Sequence, residues 1–548
     1  MNLKRSSLVE KVAVMNLADR IIYFFLLLFG LVSTGLFGVW WFQKSHVPQN
    51  FSGLFHAVDI VLFITLSYIV WYQILNELFS WVTALFMKHP KEITPAKNSK
   101  VAFLTAFVPG KEPYDVLKNT LKAMVATRYL HDTWVLDEGN DAEAKRICQL
   151  YGVKHFSRKG IAKYNTPDGI FKAKTKAGNY NSWYDQFGND YEFVAQIDVD
   201  FVPKENYLLK TLGYFKDPNV AFVGSPQIYG NTDDSWITKG AAEQAYNFYG
   251  SMQKGFYGCD MQLFIGANHV VRVAAHDTID GYSGHIVEDH LTGMKFYSKK
   301  WKSVYVPEIL AVGEGPSTWD AYFSQQMRWA YGLIDILFTQ SPKLFPKMRL
   351  HHIINYFLLQ QYYFFGLAQI LGIVVLTLYF IFGIQSTNMK FSELLLFYIP
   401  ILIMQQVLFM WLQKFNIDPE KESGLMLWGK VLNFAAWPIY FVAFMGVLMR
   451  KRLTYKVTPK GSEQKIEAQP KLFIPHAILG TVTAIDLIFS YYTHHQALQL
   501  VLWAWLNSVI MYYFVFTELM KEVVAFFAKL NFGRLTNPLL RKTRVSMT

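Results

Sequence analysis

The chain contains few charged residues and almost no cysteine. Only 17% of its 548 residues are Asp, Glu, Lys or Arg, whereas 52% are hydrophobic, a composition unlike that of an ordinary soluble domain. Two cysteines, Cys148 and Cys259, allow at most one disulfide and show no metal-ligand spacing. We therefore expect a polar region that is reduced and cytosolic rather than a disulfide scaffold. Internal repeats and low-complexity segments are also missing from the sequence.

The net charge of +12 does not by itself indicate nucleic acid. The Lys and Arg residues are spread along the chain and concentrated beside apolar runs, which favours a membrane face over a nucleic-acid partner. The first apolar run, residues 21–42, is too long for a signal-peptide core and has no small-residue cleavage site. It predicts an uncleaved membrane helix.

Several apolar runs reach the length of about 20 residues that crosses a bilayer. These runs are residues 21–42, 57–80, 355–383, 394–412, 424–449, 473–492 and 498–517. Between residues 97 and about 350, short β-rich runs alternate with amphipathic stretches. The β-rich runs are residues 101–108, 134–136, 193–197 and 220–223, and residues 113–126 form an amphipathic stretch. This alternation predicts an α/β domain with a mainly parallel sheet, inserted between transmembrane helices.

The distribution of positive charge predicts the orientation. Four cations precede residue 21, so the N-terminus is expected in the cytoplasm. A full crossing by residues 424–449 would send the basic stretch 450–465 outside, and this run contains Lys430, Asn433 and Pro438. We expect it to be interfacial or re-entrant. Six crossings result, with the α/β domain and the basic C-terminal tail in the cytoplasm.

The predicted organisation has five segments. Residues 1–96 carry two transmembrane helices, and residues 97–350 form the cytosolic α/β domain with an interfacial helix. Two more transmembrane helices lie in residues 351–423. Residues 424–472 contain an interfacial helix and a polar loop, and residues 473–548 contain two transmembrane helices and the basic tail.

Carboxylates follow two of the predicted strands. Asp137 ends an apolar run and is followed by Glu138 and a glycine, and Asp198-Val199-Asp200 follows residues 193–197. The carboxyl ends of strands are where α/β folds bind ligands. The spacing is expected to place Asp198 and Asp200 on one side of an extended segment, where they suit Mg²⁺ or Mn²⁺ and leave positions for phosphate oxygens. Each string alone also fits a turn acid or a chance match.

A basic loop and an acidic pair supply two further candidates. Lys176 lies in the loop 174–179, which is either a solvated basic loop or, beside acidic metal ligands, a phosphate contact. Glu288-Asp289 follows a glycine-bearing loop, and inverting sugar transfer needs a base near the attacking hydroxyl. We choose Asp289 as that base. His290 is expected to pack or hydrogen-bond beside it.

Gln325, Arg328 and Trp329 fall on one amphipathic stretch, residues 319–338. Their spacing of three to four residues predicts adjacent faces of one helix. Trp stacks on sugar rings, and Arg matches diphosphate geometry. An interfacial helix with Trp329 among lipid headgroups is an alternative that is compatible with these roles.

The order of these motifs resembles processive family 2 glycosyltransferases of the bacterial cellulose synthase and hyaluronan synthase group. The resemblance runs from about residue 99 to 461. It is carried by Asp137-Glu138-Gly139, Lys176-Ala177-Gly178-Asn179, Asp198-x-Asp200, Val287-Glu288-Asp289, Gln325-x-x-Arg328-Trp329 and the segment 455–461. These strings are similar to the family's Asp-Asp-Gly, Lys-Ala-Gly-Asn, Asp-x-Asp, Thr-Glu-Asp, Gln-x-x-Arg-Trp and gating-loop motifs.

The resemblance implies a GT-A fold for the cytosolic domain and a role for each motif. It implies nucleotide-sugar binding by Asp137, Lys176, Asp198, Glu288 and Arg328, with Asp289 as general base. It implies acceptor binding by Gln325, Trp329, Phe264 and Gly266, and a Mg²⁺ or Mn²⁺ held by Asp198 and Asp200. It implies a gating loop that contains Tyr455, Val457, Thr458, Lys460 and Gly461, ordered by the bound nucleotide.

The implied activity is a processive inverting β-glycosyltransferase in a bacterial inner membrane. It would polymerise a UDP-sugar onto a growing polysaccharide and pass the polymer across the lipid bilayer, as an exopolysaccharide or capsule. The gating-loop match favours UDP-glucose and a β-glucan. Pro109-Gly110-Lys111 and residues 263–268 depart from the cellulose synthase pattern, so the uracil contact and the linkage can differ.

Several alternatives stay open at this point. UDP-N-acetylglucosamine is the second donor, and a non-processive transferase acting on a lipid carrier is the rival enzyme. A transporter with a cytosolic domain is the alternative that is not an enzyme. Polar residues in the predicted membrane helices fit either a polymer pore or a transporter path. A homo-oligomer or a cell-envelope partner also stays open.

Overall fold

The computed structural model describes residues 8–451 and 468–534, with side chains as far as residue 524. The predicted gating loop, residues 455–461, lies outside the described residues. The chain divides into two compact units. Unit 1 consists of Met1–His46, Ser67–Gln369 and Ser392–Gln464, and unit 2 consists of Val47–Leu66, Ile370–Phe391 and Lys465–Thr548.

Strands and helices alternate through the middle of the chain. Strands β1–β12 are, in order, Lys11–Ala13, Lys88–Pro90, Val101–Phe107, Asp132–Asp137, Lys154–Phe156, Phe193–Asp198, Phe201–Pro203, Val220–Gly224, Ile228–Tyr229, His269–Arg272, Lys302–Tyr305 and Ala311–Gly313. Helices α1–α10 are Leu17–Trp41, His56–Ala84, Tyr114–Val125, Ala142–Tyr151, Lys176–Phe187, Tyr207–Leu212, Trp236–Asn247, Gln253–Gly258, Val273–Asp277 and Glu288–Ser298. Helices α11–α19 are Trp319–Thr339, Ser341–Leu344, Leu350–Gln361, Phe365–Phe382, Phe391–Leu412, Leu427–Ala435, Trp437–Leu448, Ile474–Thr493 and Leu498–Arg534.

The centre of unit 1 is a seven-stranded sheet in the order β11-β8-β10-β6-β3-β4-β5. Strand β10 pairs antiparallel with β6 and β8, and the other neighbours are parallel. Six of the seven residues of β3 are buried, as expected for a strand covered on both faces. The predicted mainly parallel sheet is confirmed, and so are the strands predicted at residues 101–108, 134–136, 193–197 and 220–223.

The chain leaves this sheet at the Asp-x-Asp motif. Strand β6 ends at Asp198, and β7 begins at Phe201 in a separate three-stranded sheet, β7-β12-β9. Val199 and Asp200 therefore form a turn. The prediction that Asp198 and Asp200 share one side of an extended segment is wrong, because the chain has to change direction to enter the second sheet.

Two helices of the α/β domain begin at predicted site residues. Helix α5 begins at Lys176, and the hydroxyl of Thr175 caps it by accepting the Gly178 N–H at 3.0 Å. A Cβ on Gly178 would lie 2.2 Å from the carbonyl oxygen of Lys172, so only glycine allows the preceding loop to pass this close. Helix α10 begins at Glu288, which places the acidic pair in its first turn, where the helix dipole favours negative charge.

The described residues contain six helical segments long and apolar enough to cross a membrane. They are Leu17–Trp41, Gly53–Ala84, Leu350–Phe382, Phe391–Phe415, Pro470–Thr493 and Leu498–Val524. The predicted interfacial run forms two shorter helices, α16 and α17, bent by 41°. Pro438 lies in the first turn of α17 and has no N–H to continue the α16 hydrogen-bond ladder. Counting this pair as one span would give seven.

Cysteine labelling distinguishes six crossings from seven. In a Cys259→Ser background we expect Lys471→Cys to resist an impermeant thiol reagent in intact cells and to react after permeabilisation. Ser45→Cys, in the exposed turn after α1, is the matched control and is expected to react from outside. Lys471 lies at the beginning of the fifth span, so labelling of Lys471→Cys in intact cells would show that the bent pair crosses the membrane.

Candidate active site

Most of the predicted site residues meet in one cavity of unit 1. Its volume is about 1500 Å³. Among its lining residues are Lys176, Asp198, Asp200, Phe264, Gly266, Glu288, Asp289, Gln325, Arg328 and Trp329. The sheet brings them together because β6 and β4 end at the same edge, as parallel neighbours of β3.

Lys176 joins two parts of this cavity. Its ammonium group pairs with the Asp198 carboxylate and donates to the carbonyl oxygen of Gly266 at 2.5 Å. Burial is the largest single influence on this ammonium and opposes its charge, but Asp198, Tyr180 and Glu288 together outweigh burial and hold the pKa of Lys176 above its usual value. The lysine therefore stays charged and ties the end of β6 to the loop that precedes β10.

Asp289 faces the same loop. Its Oδ1 accepts the backbone N–H of His290 at 2.8 Å. A Cβ on Gly266 would lie 3.3 Å from Asp289 Oδ2 and 3.8 Å from Lys176 Nζ. The missing side chain at Gly266 therefore leaves room between a carboxylate and an ammonium.

The two carboxyl groups at the start of α10 ionise less readily than exposed carboxyl groups. Burial raises the pKa of Asp289. Burial, together with the charge of Asp289, raises the pKa of Glu288 to about 7. Lys176 and Arg328 act in the opposite direction on both carboxyl groups. The two groups titrate as a pair rather than independently.

Asp137 lies beneath the cavity wall rather than on it. Its buried carboxylate accepts the N–H groups of Gly139 and Asp141 at 2.8 and 2.5 Å, and His155 Nε2 lies 3.0 Å from Oδ2. The cavity is lined instead by the next residue, Glu138. A nucleotide contact by Asp137 stays a prediction, and its observed role is to shape the turn after β4.

Arg158 is a site-building residue that the sequence did not single out. Only 1% of its side chain is exposed, and it binds both oxygens of Glu138 at 2.7 and 3.0 Å. It also donates to the carbonyl oxygens of Tyr164, Lys172 and Thr175, so all five of its N–H groups are used. The feature that could have identified Arg158 in the sequence is its position two residues after β5, at the same sheet edge as Asp137 and Asp198.

His290 holds helix α10 in place. Ser341 Oγ donates to Gln360 Oε1 at 2.8 Å, which orients the amide so that its Nε2 donates to His290 Nε2 at 3.1 Å. Burial lowers the pKa of His290 to about 3, so the ring is neutral. This agrees with a packing and hydrogen-bonding role and connects α10 to α13.

Helix α11 carries the Gln-x-x-Arg-Trp string as predicted, with Gln325, Arg328 and Trp329 on the cavity wall. Trp329 is partly buried against the hydrophobic core. The neighbouring Gln326 accepts the hydroxyl of Tyr440 from α17 at 2.9 Å. The helix is therefore fixed from behind while its polar face stays on the cavity.

The cavity continues into the membrane-length helices. Asn76 and Glu77 of α2 and Gln405, Gln406 and Phe409 of α15 also line it. Gln405 Nε2 donates to Glu77 Oε1 at 2.8 Å. One continuous space thus connects the carboxylates of the α/β domain to polar side chains between helices that are long enough to span a bilayer.

The chemistry of the donor set fits a hard divalent cation. Asp198 and Asp200 both reach the cavity, and within the described part of the chain no group of three or more His, Cys, Asp or Glu side chains has metal-binding geometry. Two carboxylates leave most of the coordination sphere of Mg²⁺ or Mn²⁺ to phosphate oxygens and water, as is usual at nucleotide sites.

Comparison with known proteins shows which family the chain resembles. The model of glycosyl transferase family group 2 matches residues 193–449. A cellulose synthase catalytic subunit (UDP-forming) of Pseudomonas fluorescens is 25% identical over 397 residues, which cover 70% of this chain and 51% of that protein. The chain is thus similar to cellulose synthases and contains a match to family 2 glycosyltransferases. The predicted resemblance and the predicted glycosyltransferase class are confirmed, and the six membrane-length helices agree with the predicted multi-pass membrane architecture.

Two further comparisons concern more distant relatives. A probable glucomannan 4-β-mannosyltransferase of Arabidopsis thaliana is 29% identical over 249 residues, 41% of this chain and 44% of that protein. The glycosyltransferase spans about half the length of these curated relatives. A mannosyltransferase of Pyrobaculum calidifontis, solved with GDP-mannose and Mn²⁺, is similar with a TM-score of 0.47 and 12% identity, over 72% of this chain and 99% of that one.

The raised pKa of the acidic pair predicts the pH dependence of sugar transfer. Because Asp289 has to be ionised to accept a proton, kcat is expected to fall as pH decreases through a pKa above the ordinary aspartate value of about 3.9. The charge of Asp289 raises the pKa of Glu288 to about 7, so Glu288 is still neutral while Asp289 ionises. Glu288→Gln is therefore expected to leave the acid limb of kcat where it is. An acid limb at or below about pH 4 in the wild-type protein would contradict the raised pKa of Asp289, and a shifted limb in Glu288→Gln would contradict the order in which the two groups ionise.

Proposed function

We propose that this glycosyltransferase is a processive inverting β-glycosyltransferase that polymerises glucose from UDP-glucose and passes the product across the bacterial inner membrane, with its α/β domain in the cytoplasm. The observation that carries the proposal is the continuous cavity. It begins at Lys176 and Asp198, passes Asp289 and Trp329, and continues between α2 and α15.

The donor occupies the end of the cavity at the sheet edge. Asp198 and Asp200 hold Mg²⁺ or Mn²⁺, which when bound stabilises the departing diphosphate as a Lewis acid. Lys176 and Arg328 supply the remaining positive charge for the phosphates. Lys176 already pairs with Asp198, so the donor phosphates enter next to an ammonium that is held in position.

Transfer takes place beside Gly266. The acceptor hydroxyl gives its proton to Asp289 as its oxygen attacks the anomeric carbon of the donor. The bond from that carbon to the diphosphate breaks on the opposite face, which inverts the configuration and releases UDP. The raised pKa of Asp289 makes this carboxylate a stronger base than an exposed aspartate. Phe264 and the open backbone at Gly266 form the floor for the accepting sugar.

The polymer leaves along the membrane part of the cavity. Trp329 offers an apolar face to a sugar ring, and the amides of Gln405 and Gln406 offer hydrogen bonds to hydroxyl groups. Polar side chains between membrane helices are costly unless they serve a pathway or pair with one another. A non-processive transferase acting on a lipid carrier needs no such continuation of its active site, which favours the polymerase.

A mannosyl donor is the second candidate. The Arabidopsis relative is named as a glucomannan mannosyltransferase, and so is a rice relative that is 32% identical over 210 residues. The residues around Gly266 depart from the cellulose synthase pattern, so the acceptor floor does not by itself specify glucose. UDP-N-acetylglucosamine, the second donor in the sequence analysis, is then the third candidate.

The donor is tested with purified protein and one nucleotide sugar at a time. UDP-glucose, UDP-N-acetylglucosamine and GDP-mannose are each supplied with Mg²⁺ or Mn²⁺, and the linkage of any product is determined. We expect a polymeric β-glucan and UDP release from UDP-glucose alone. Polymer from GDP-mannose only would replace the donor, and a single sugar attached to lipid would reject processivity.

Two substitutions separate donor binding from transfer. Asp289→Asn keeps the shape of the side chain and removes the base, so it is expected to lower turnover about 10²–10⁴-fold while metal-dependent UDP binding persists. Asp200→Ala removes a metal ligand and is expected to weaken UDP binding itself. UDP binding by calorimetry and product formation measure the two effects.

Asp115→Asn is the matched control for both variants. Asp115 is an exposed aspartate on α3 that pairs with Lys118, and its replacement is expected to change neither property. Near-normal turnover of Asp289→Asn would remove Asp289 from the mechanism. Unchanged metal dependence of Asp200→Ala would place the metal elsewhere.

A further inference from the structure

A second cavity of unit 1 lies apart from the active site. It is a groove of about 470 Å³ between the beginning of α1 and the end of α2. Its walls are mostly apolar, with Phe24 and Phe25 from α1 and Leu85 and Phe86 from the turn after α2. Arg20 and Lys88 lie at its polar end. None of these residues lines the cavity that holds Asp198 and Asp289.

The two cations are at the same end of the two membrane helices. Strand β1, just before α1, pairs antiparallel with β2, just after α2, and Ala13 lies opposite Lys88. This short sheet holds the beginning of α1 next to the end of α2. The groove is therefore at the end of these two membrane-length helices that leads into the α/β domain.

Both cations lack a polar partner among the residues that the structure describes, where the side chains of Arg20 and Lys88 make no hydrogen bond or ion pair. Nearby carboxylates are already engaged: Asp19 pairs with Lys414 at 2.5 Å, Asp260 with Lys11 at 2.6 Å and Glu10 with Lys91 at 2.8 Å. The groove therefore keeps two unneutralised positive charges above an apolar wall. The N-terminus of α1 adds a further positive partial charge.

We propose that this groove binds an anionic glycerophospholipid. The headgroup phosphate lies between Arg20 and Lys88, and one acyl chain lies along Phe24, Phe25 and Phe86. The charges select an anionic headgroup over a zwitterionic one, since each basic residue near a membrane surface attracts anionic lipid. The exposed aromatic wall gives the acyl chain a contact that free phosphate could not use. The proposal does not depend on which sugar the enzyme transfers.

The preference is measured on the full chain in nanodiscs of equal parts dioleoylphosphatidylglycerol and dioleoylphosphatidylcholine. Native mass spectrometry counts the lipids that stay bound after release. We expect the wild-type protein to retain phosphatidylglycerol in preference to phosphatidylcholine. The double variant Arg20→Gln/Lys88→Gln is expected to lower that ratio roughly 30-fold, on the basis of about tenfold for each 1.4 kcal/mol and about 1 kcal/mol for each lost charge.

Two control variants separate a site from general attraction. Arg20→Lys/Lys88→Arg keeps both charges and is expected to keep the preference. Lys44→Gln removes an exposed cation beyond the other end of α1 and is expected to change nothing. An unchanged ratio in the Gln double variant, or an equal loss in Lys44→Gln, would overturn the proposal. Displacement of the retained lipid by millimolar inorganic phosphate would also overturn it, because the acyl chain would then contribute nothing.

Discussion

The ammonium group of Lys176 is the interaction on which the arrangement of the active site depends. It lies among Asp198, Glu288 and Asp289, which would otherwise repel one another. Two like unit charges about 4 Å apart repel by about 4 kcal/mol at an effective dielectric constant of about 20. One fixed cation, helped by Arg328, offsets this repulsion. It also leaves a positive contact beside the position proposed for the donor phosphates.

Lys176 can do this only because a series of contacts fixes its backbone. Arg158 binds Glu138 on one side and the carbonyl oxygens of Lys172 and Thr175 on the other. It thereby ties the turn after β4 to the loop that precedes α5. Thr175 then caps α5, so Lys176 starts the helix and points at Asp198 and Gly266. The position of Lys176 thus depends on Arg158, and the position of Arg158 depends on Glu138 at the sheet edge. A change at one of these residues displaces the next one.

The sequence was enough to predict those site residues whose positions are set by a single strand or helix. Strand ends followed by carboxylates gave Asp198, and helical spacing gave the face of α11 with Gln325 and Trp329. Tertiary contacts decided the rest. The burial of Asp137, the turn at Asp200 and the partners of Arg158 and His290 depend on chain segments far apart in sequence. No pattern of spacing along one segment predicts a hydrogen bond such as that between His290 and Gln360, 70 residues apart.

The sequence alone does not show whether the polar residues in the apolar runs belong to a polymer pore or to a transporter path. In the structure, some of them line the cavity of unit 1, and others lie in unit 2. Gln405 and Gln406 line the same cavity as Asp289, with Gln405 bonded to Glu77. Asp486 belongs to unit 2, where Thr377 donates to its Oδ2 at 2.9 Å, and such pairing is how membrane helices commonly hold polar groups. Of these residues, only Gln405 and Gln406 line the same cavity as Asp289. Under the proposed function, each transfer lengthens a chain whose earlier units already fill that space, so passage needs no second substrate site.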